Sequence, residues 1–203
     1  PVFGFYLHPA VGGRVYSFQF WLEFCQIPNV VAIKIAAFNR YQTLDVIRAV
    51  IASGREDIAL YTGNDDNIIN DLLTPFRFDG QQRWIVGGLL GQWAIWTQQA
   101  TEMLNEIKNL RQQRSISVDW LAANASLTDA NAAIFDAANS FAGCVPGVNE
   151  MLHRQGLLPS NLCLDPEETL STGQQRELDR VTATQPTDDA FIAAHLENWL
   201  TDN

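Results

Sequence analysis

A lysine stands alone in an otherwise uncharged run, Asn29-Val-Val-Ala-Ile-Lys34-Ile-Ala-Ala37, whose β-branched residues read as a buried strand. Strand side chains alternate faces, so Val31, Ile33 and Ile35 point one way and Ala32, Lys34 and Ala36 the other. The ammonium therefore shares its face with alanines, which leave space for a long side chain and for something it could react with. Removal from water disfavours the charged form of a lysine. A neutral amine so placed can add to a carbonyl compound and form a Schiff base. The plain alternative is a residue near a strand end that extends its charge back to water.

Other chemistry-bearing residues cluster at similar places. Tyr6 lies near the end of an opening apolar run, on the face that carries Val2 and Gly4, and Thr62-Gly63-Asn64-Asp65-Asp66 closes another. In parallel α/β folds, sites form where strands finish and βα loops begin. Each also has a structural reading, the tyrosine as a packed aromatic with a locally bonded hydroxyl and the loop as a turn with a helix N-cap. Gly87, Gly88 and Gly91 either leave backbone N–H groups open to an anion or allow close helix packing.

The elements that must position these residues alternate in type. Strands are expected over 2–7, 30–36, 58–62 and 84–86, each followed by a helical pattern, over 17–26, 41–53, 67–73 and 92–111. That βαβα order is the signature of a parallel sheet covered by helices. The helix over 41–53 is read from Leu44, Ile47 and Ile51 with Val46 and Val50, which form one stripe. Beyond Arg114 the strand signal disappears. Helices are expected over 118–124 and 128–142, then a Pro/Gly break at Cys144-Val-Pro-Gly147 and a helix ending at Gly156. A Leu/Pro-rich loop runs to Ser171, whose spacing to Gln174 fits a capping box, and an amphipathic helix closes the chain over 188–200. The division is thus 1–114, four βα units, and 115–203, a helical extension.

Composition narrows the function classes. The 203 residues, 47% of them hydrophobic, suffice for a sizeable core. A net charge of −10 with 13 scattered basic residues argues against a nucleic-acid or anionic-membrane surface. Cys25, Cys144 and Cys163 are odd in number and widely spaced, which indicates neither a disulfide framework nor a zinc site and suits a reducing cytoplasm. The near-apolar stretch 84–96 is shorter than the roughly 20 residues of a membrane span, and no signal peptide is read. The sequence enters a strand directly after Pro1, which reads as a cut edge.

Four segments in chain order carry a resemblance. Phe5-Tyr6-Leu7-His8-Pro9-Ala10-Val11-Gly12-Gly13, Ala32-Ile33-Lys34, Leu60-Tyr61-Thr62-Gly63-Asn64-Asp65-Asp66, and Gly143-Cys-Val-Pro-Gly-Val-Asn-Glu-Met-Leu152 with Gln155-Gly156-Leu157 resemble motifs of the dihydrodipicolinate synthase/N-acetylneuraminate lyase superfamily. These are its Tyr-x-x-Pro-x-x-[Thr/Ser/Gly]-Gly segment, Schiff-base lysine strand, Ser-Gly-Asp-Asp loop and late Pro-x-x-x-Lys helix with a Gly-Leu turn. The separation of Tyr6 and Lys34, 34 − 6 = 28 residues, is also similar. The resemblance implies an α/β fold, the C-terminal half (strands 5 to 8) of a (β/α)8 TIM barrel followed by a helical C-terminal extension.

It also implies a Schiff-base lyase or aldolase acting on a small 2-keto acid such as pyruvate. Lys34 would be the nucleophile and Tyr6 the proton relay, while Thr62, Gly63 and Arg14 would line the substrate site. No metal or cofactor is called for, and the full-length protein would be a homo-oligomer. Two departures stand out: Val11 replaces the synthases' carboxylate-binding arginine, with Arg14 close by but out of register, and the strands preceding the fifth have no counterpart. A non-catalytic binding or regulatory module on the same scaffold is the alternative, and a flavodoxin-like domain is a third reading suggested by length.

Overall fold

A computed structural model describes residues 1–201, a mixed α/β chain with a parallel sheet. The chain divides into two compact units, one of Pro1–Leu90 with Ile107–Asn124, the other of Gly91–Glu106 with the chain from Ala125 onward. No helix among the described residues is long and apolar enough to cross a membrane.

The first unit is built on β1 (Val2–Leu7), α1 (Phe18–Phe24), β2 (Val30–Ala36), α2 (Arg40–Ala52), β3 (Ala59–Thr62) and α3 (Ile68–Leu73). A hairpin of β4 (Phe76–Phe78) and β5 (Gln81–Arg83) then precedes β6 (Ile85–Gly88). The starts of α1 and α2 are capped by side chains, Ser17 Oγ accepting from the Phe20 N–H and Asn39 Oδ1 from the Gln42 N–H. The hairpin turns on Asp79 and Gly80 at φ 50° and 75°, the left-handed pair of a type I′ two-residue connection.

The four long-range strands pair in parallel in the order β1-β2-β3-β6. This sequential order differs from the 2-1-3-4-5 order of flavodoxin-like sheets, in which helices cover both faces. Right-handed crossovers between strands added always on the same side bring the helices to one face. Burial agrees with that: Gly4, Tyr6, Ile33, Ile35, Leu60 and Ile85 are buried on the helix-covered face. On the other face of the sheet Phe3 and Phe5 remain 56% and 48% exposed. Two bulges, which leave Val31 and Val86 as the extra residues, set the register across the sheet.

The second unit is helical. It holds the first part of α4 (Thr97–Leu110), the end of α5 (Asp119–Ile134), α6 (Cys144–Arg154), α7 (Gln174–Thr184) and α8 (Asp189–Leu200). The expected helix over 92–111 is divided into a 3-10 turn, Gly91–Ala94, and α4. The expected break at Cys144-Val-Pro-Gly147 is instead the first turn of α6, where the missing N–H of Pro146 is no loss. Half of the expected capping box forms: Gln174 Oε1 accepts from the Ser171 N–H, while the Ser171 hydroxyl donates to Asp136.

Candidate active site

Lys34 projects from the face of β2 that the helices do not cover. Its register partners are Phe5 on β1 and Tyr61 on β3, so these two side chains flank it on the same face. Nζ lies 4.5 Å from the centroid of the Phe5 ring, within cation–π range. The stem crosses Gly63: a Cβ there would come within 2.6 Å of Lys34 Cε and 3.1 Å of Ala36 Cβ. Ala32, Ala36 and Gly63 thus supply the room that the alternation pattern of β2 implied. Lys34 forms no hydrogen bond or ion pair with any described residue. Burial without a compensating anion holds its ammonium below the usual lysine range.

Tyr6 is on the opposite face. Its ring is fully buried against Trp21 and Tyr16, with centroids 5.0 and 5.8 Å away. The hydroxyl accepts from the Tyr16 N–H at 3.1 Å and donates to the Tyr16 carbonyl at 3.3 Å. Burial pushes this phenol up from its ordinary range. The structure does not bring Tyr6 and Lys34 together: Phe5 is the β1 neighbour of the lysine, because β1 pairs with Phe5 opposite Lys34 and Tyr6 opposite Ile35. We expect Tyr6→Phe to cost about 0.5–1.5 kcal/mol, the net worth of an ordinary hydrogen bond to the part-buried Tyr16 backbone, and to leave the reactivity of Lys34 unchanged. Urea denaturation and amine trapping read the two effects separately, and a large loss of trapping in a folded variant would contradict the placement.

Thr62 and its loop also serve the covered face. Thr62 Oγ1 donates to Asp71 Oδ2 at 2.7 Å, and Asn64 Nδ2 donates to the same oxygen at 2.9 Å and to Thr43 Oγ1 at 3.1 Å. Arg40 pairs with the other carboxylate oxygen of Asp71, which the Asn67 side-chain amide reaches at 3.2 Å. Asn64 Oδ1 accepts from the Phe38 N–H at 3.0 Å. Phe38 has φ 49°, a left-handed conformation that a bulky residue adopts only when its surroundings hold it there. Next in the loop, burial and then the neighbouring charge of Asp66 push the Asp65 carboxyl up to about 7.

Gly63 contributes space rather than a donor, since its N–H is committed to the Ile35 carbonyl at 2.7 Å. Arg14, in the β1–α1 connection, is exposed and has no carboxylate partner among the described residues. No group of three or more His, Cys, Asp or Glu among the described residues is arranged to hold a metal ion.

The residue that sequence reasoning passed over is Tyr61. Its ring packs edge-on to Phe3 at 6.0 Å and lies over Gly87, where a Cβ would come within 2.9 Å of Cε2. Its hydroxyl has no hydrogen-bond partner among the described residues. Alternation within β3 assigns Tyr61 and Thr62 to opposite faces, but only the pairing of β3 with β2 tells which of them accompanies Lys34. The chain matches no protein-family model and no curated protein.

Proposed function

We propose that Lys34 is the amine of a Schiff-base-forming lyase or aldolase for a 2-keto acid of the pyruvate type. In this reading residues 1–114 are four consecutive βα units of a (β/α)8 barrel of the dihydrodipicolinate synthase/N-acetylneuraminate lyase kind, followed by a helical extension. The observation that carries it is the half-buried, unpaired Lys34 on the bare face of a sequentially ordered parallel sheet. The neutral amine adds to the keto carbon, and the carbinolamine loses water to give an iminium. That iminium accepts the electron pair released when a C–C bond breaks at the neighbouring carbon, or loses a proton from that carbon to water and becomes the enamine that forms such a bond.

Tyr61 takes the part of proton relay to the carbinolamine oxygen, because register sets it beside Lys34 on the same face. Tyr61→Phe is expected to retain trapping of pyruvate while slowing exchange of its methyl protons with D2O by roughly 10²- to 10⁴-fold. An unchanged exchange rate would remove Tyr61 from proton transfer.

The chain offers a built-in control, since it has two lysines, Lys34 and the exposed Lys108. Incubation with pyruvate, reduction with borohydride and peptide mass mapping should give an adduct at Lys34 and not at Lys108. Equal labelling of the two, or none, would defeat the reading. A second reading, a non-catalytic module on the same scaffold, draws on the engagement of the Tyr6 hydroxyl and the Gly63 N–H within the fold. It predicts that Lys34 is no more reactive than Lys108.

A further inference from the structure

In a chain with 23 acidic and 13 basic residues, unpaired arginines gathered at one place call for an explanation. Arg77, Arg111 and Arg114 all line one cavity of about 370 Å³ in the first unit, and no Asp or Glu is among the residues that line it. Arg40, Arg48, Arg55, Arg154 and Arg180 each have a carboxylate partner, whereas none of these three does among the described residues. Arg77 spends only Nε, on Gln82 Oε1 at 2.8 Å. Arg111 gives Nε and one terminal nitrogen to the carbonyls of Leu72 and Ile85, and its guanidinium lies 4.8 Å from the centroid of Trp84. Its remaining nitrogen has no acceptor among the described residues, and burial lowers its proton affinity. Arg114 is exposed at the rim. Leu110, Ile116 and Trp84 add apolar walls.

We propose that this cavity, beside the N-terminal end of β6, binds a small organic anion, a phosphate monoester or carboxylate carried on an apolar group. Guanidinium forks match both oxyanions in geometry. An incoming anion gains most where a half-buried cation lacks a counter-charge, and Arg111 is such a cation, held rigidly by two carbonyls. The exposed arginines close over the ligand from Arg77 on the hairpin and Arg114 beyond α4. Charge supplies attraction and the Trp84 wall supplies selectivity for an apolar body.

Phenyl phosphate and benzoate are the probes, titrated into the full chain by calorimetry at low ionic strength, with phenol as the neutral control. We expect saturable binding of at least one anion with a dissociation constant below about 1 mM, weakened by added salt. The double variant Arg77→Gln/Arg114→Gln changes two exposed side chains and so should keep the fold, checked by its unfolding midpoint, while weakening binding at least about tenfold, the equivalent of one lost charge-assisted contact. Trapping of pyruvate at Lys34 should be unaffected in that variant. No saturable binding of either anion, equal binding of phenol, or undiminished binding by the folded double variant would each overturn the proposal.

Discussion

Lys34→Met should lose every borohydride-trapped adduct at position 34 and at the same time melt at a higher temperature than the parent chain. The first effect follows from removal of the one half-buried lysine among the described residues, Lys108 being exposed. The second follows from the cost of an ammonium partly removed from water with no carboxylate beside it. The sign of the pH dependence is fixed by the direction of the shift. The folded chain holds the Lys34 proton less tightly than the unfolded chain, in which lysine titrates near 10.5. Below the folded-state value the full penalty is present, and it is relieved as pH rises from there through the unfolded value. The advantage of Met is therefore largest at neutral and acidic pH and shrinks toward pH 10.5. Lys34→Arg separates charge from nucleophilicity, since a guanidinium stays protonated and cannot form the imine; it should retain the fold and lose the adduct. A Lys34→Met variant that still accumulates keto acid in its β2 peptide would end the mechanism. One no more stable than the parent would show that the ammonium is not desolvated.

The part of this site that was legible in the sequence is the part determined within single strands. Alternation along β2 placed Lys34 between Ala32 and Ala36, and the structure has them on one face. Alternation along β1 equally separates Phe5 from Tyr6, but nothing local states which of the two meets Lys34; that depends on pairing, and a one-residue change in register exchanges the faces. Tyr61 was hidden for the same reason. Turn chemistry explains another omission: Asp79-Gly80 is a hairpin signal, but strands as short as Phe76–Phe78 and Gln81–Arg83 show too few alternations to draw attention to it. The helix α7 was passed over because it buries only Gln174, Leu178 and Val181, a narrow stripe on an otherwise charged segment. Pro146 differs in kind, since a proline that suggests a break is equally at home in the first turn of a helix, where it stands in α6.

The hidden centre of the first unit is Asp71, and its replacement should have the largest effect on stability. The carboxylate side chain is wholly buried and takes hydrogen bonds from Arg40, Thr62, Asn64 and Asn67. Asp71→Ala leaves the arginine charge and several polar donors without their acceptor. Arg40 is 41% exposed and can be solvated again, so the loss rests on the buried donors of Thr62 and Asn64, about 1–3 kcal/mol for each left unsatisfied, a large fraction of the roughly 5–15 kcal/mol by which a domain is stable. The damage should be directional. Asn64 also holds the Phe38 N–H, and His8 stacks on the Phe38 ring at 5.2 Å, so the ends of β1, β2 and β3 are tied through one carboxylate. Its loss should loosen the loops that follow these strands before it unfolds α2, and with them Gly63, against which the Lys34 stem is placed. Asp71→Asn keeps one oxygen acceptor and should recover part of the stability without recovering the Arg40 pair. Urea midpoints of the two variants, with amide exchange at Phe38 and Asn64, measure both claims. A loss below about 1 kcal/mol for Asp71→Ala, on the scale of a single ordinary hydrogen bond, would mean that these loops are held by something other than Asp71.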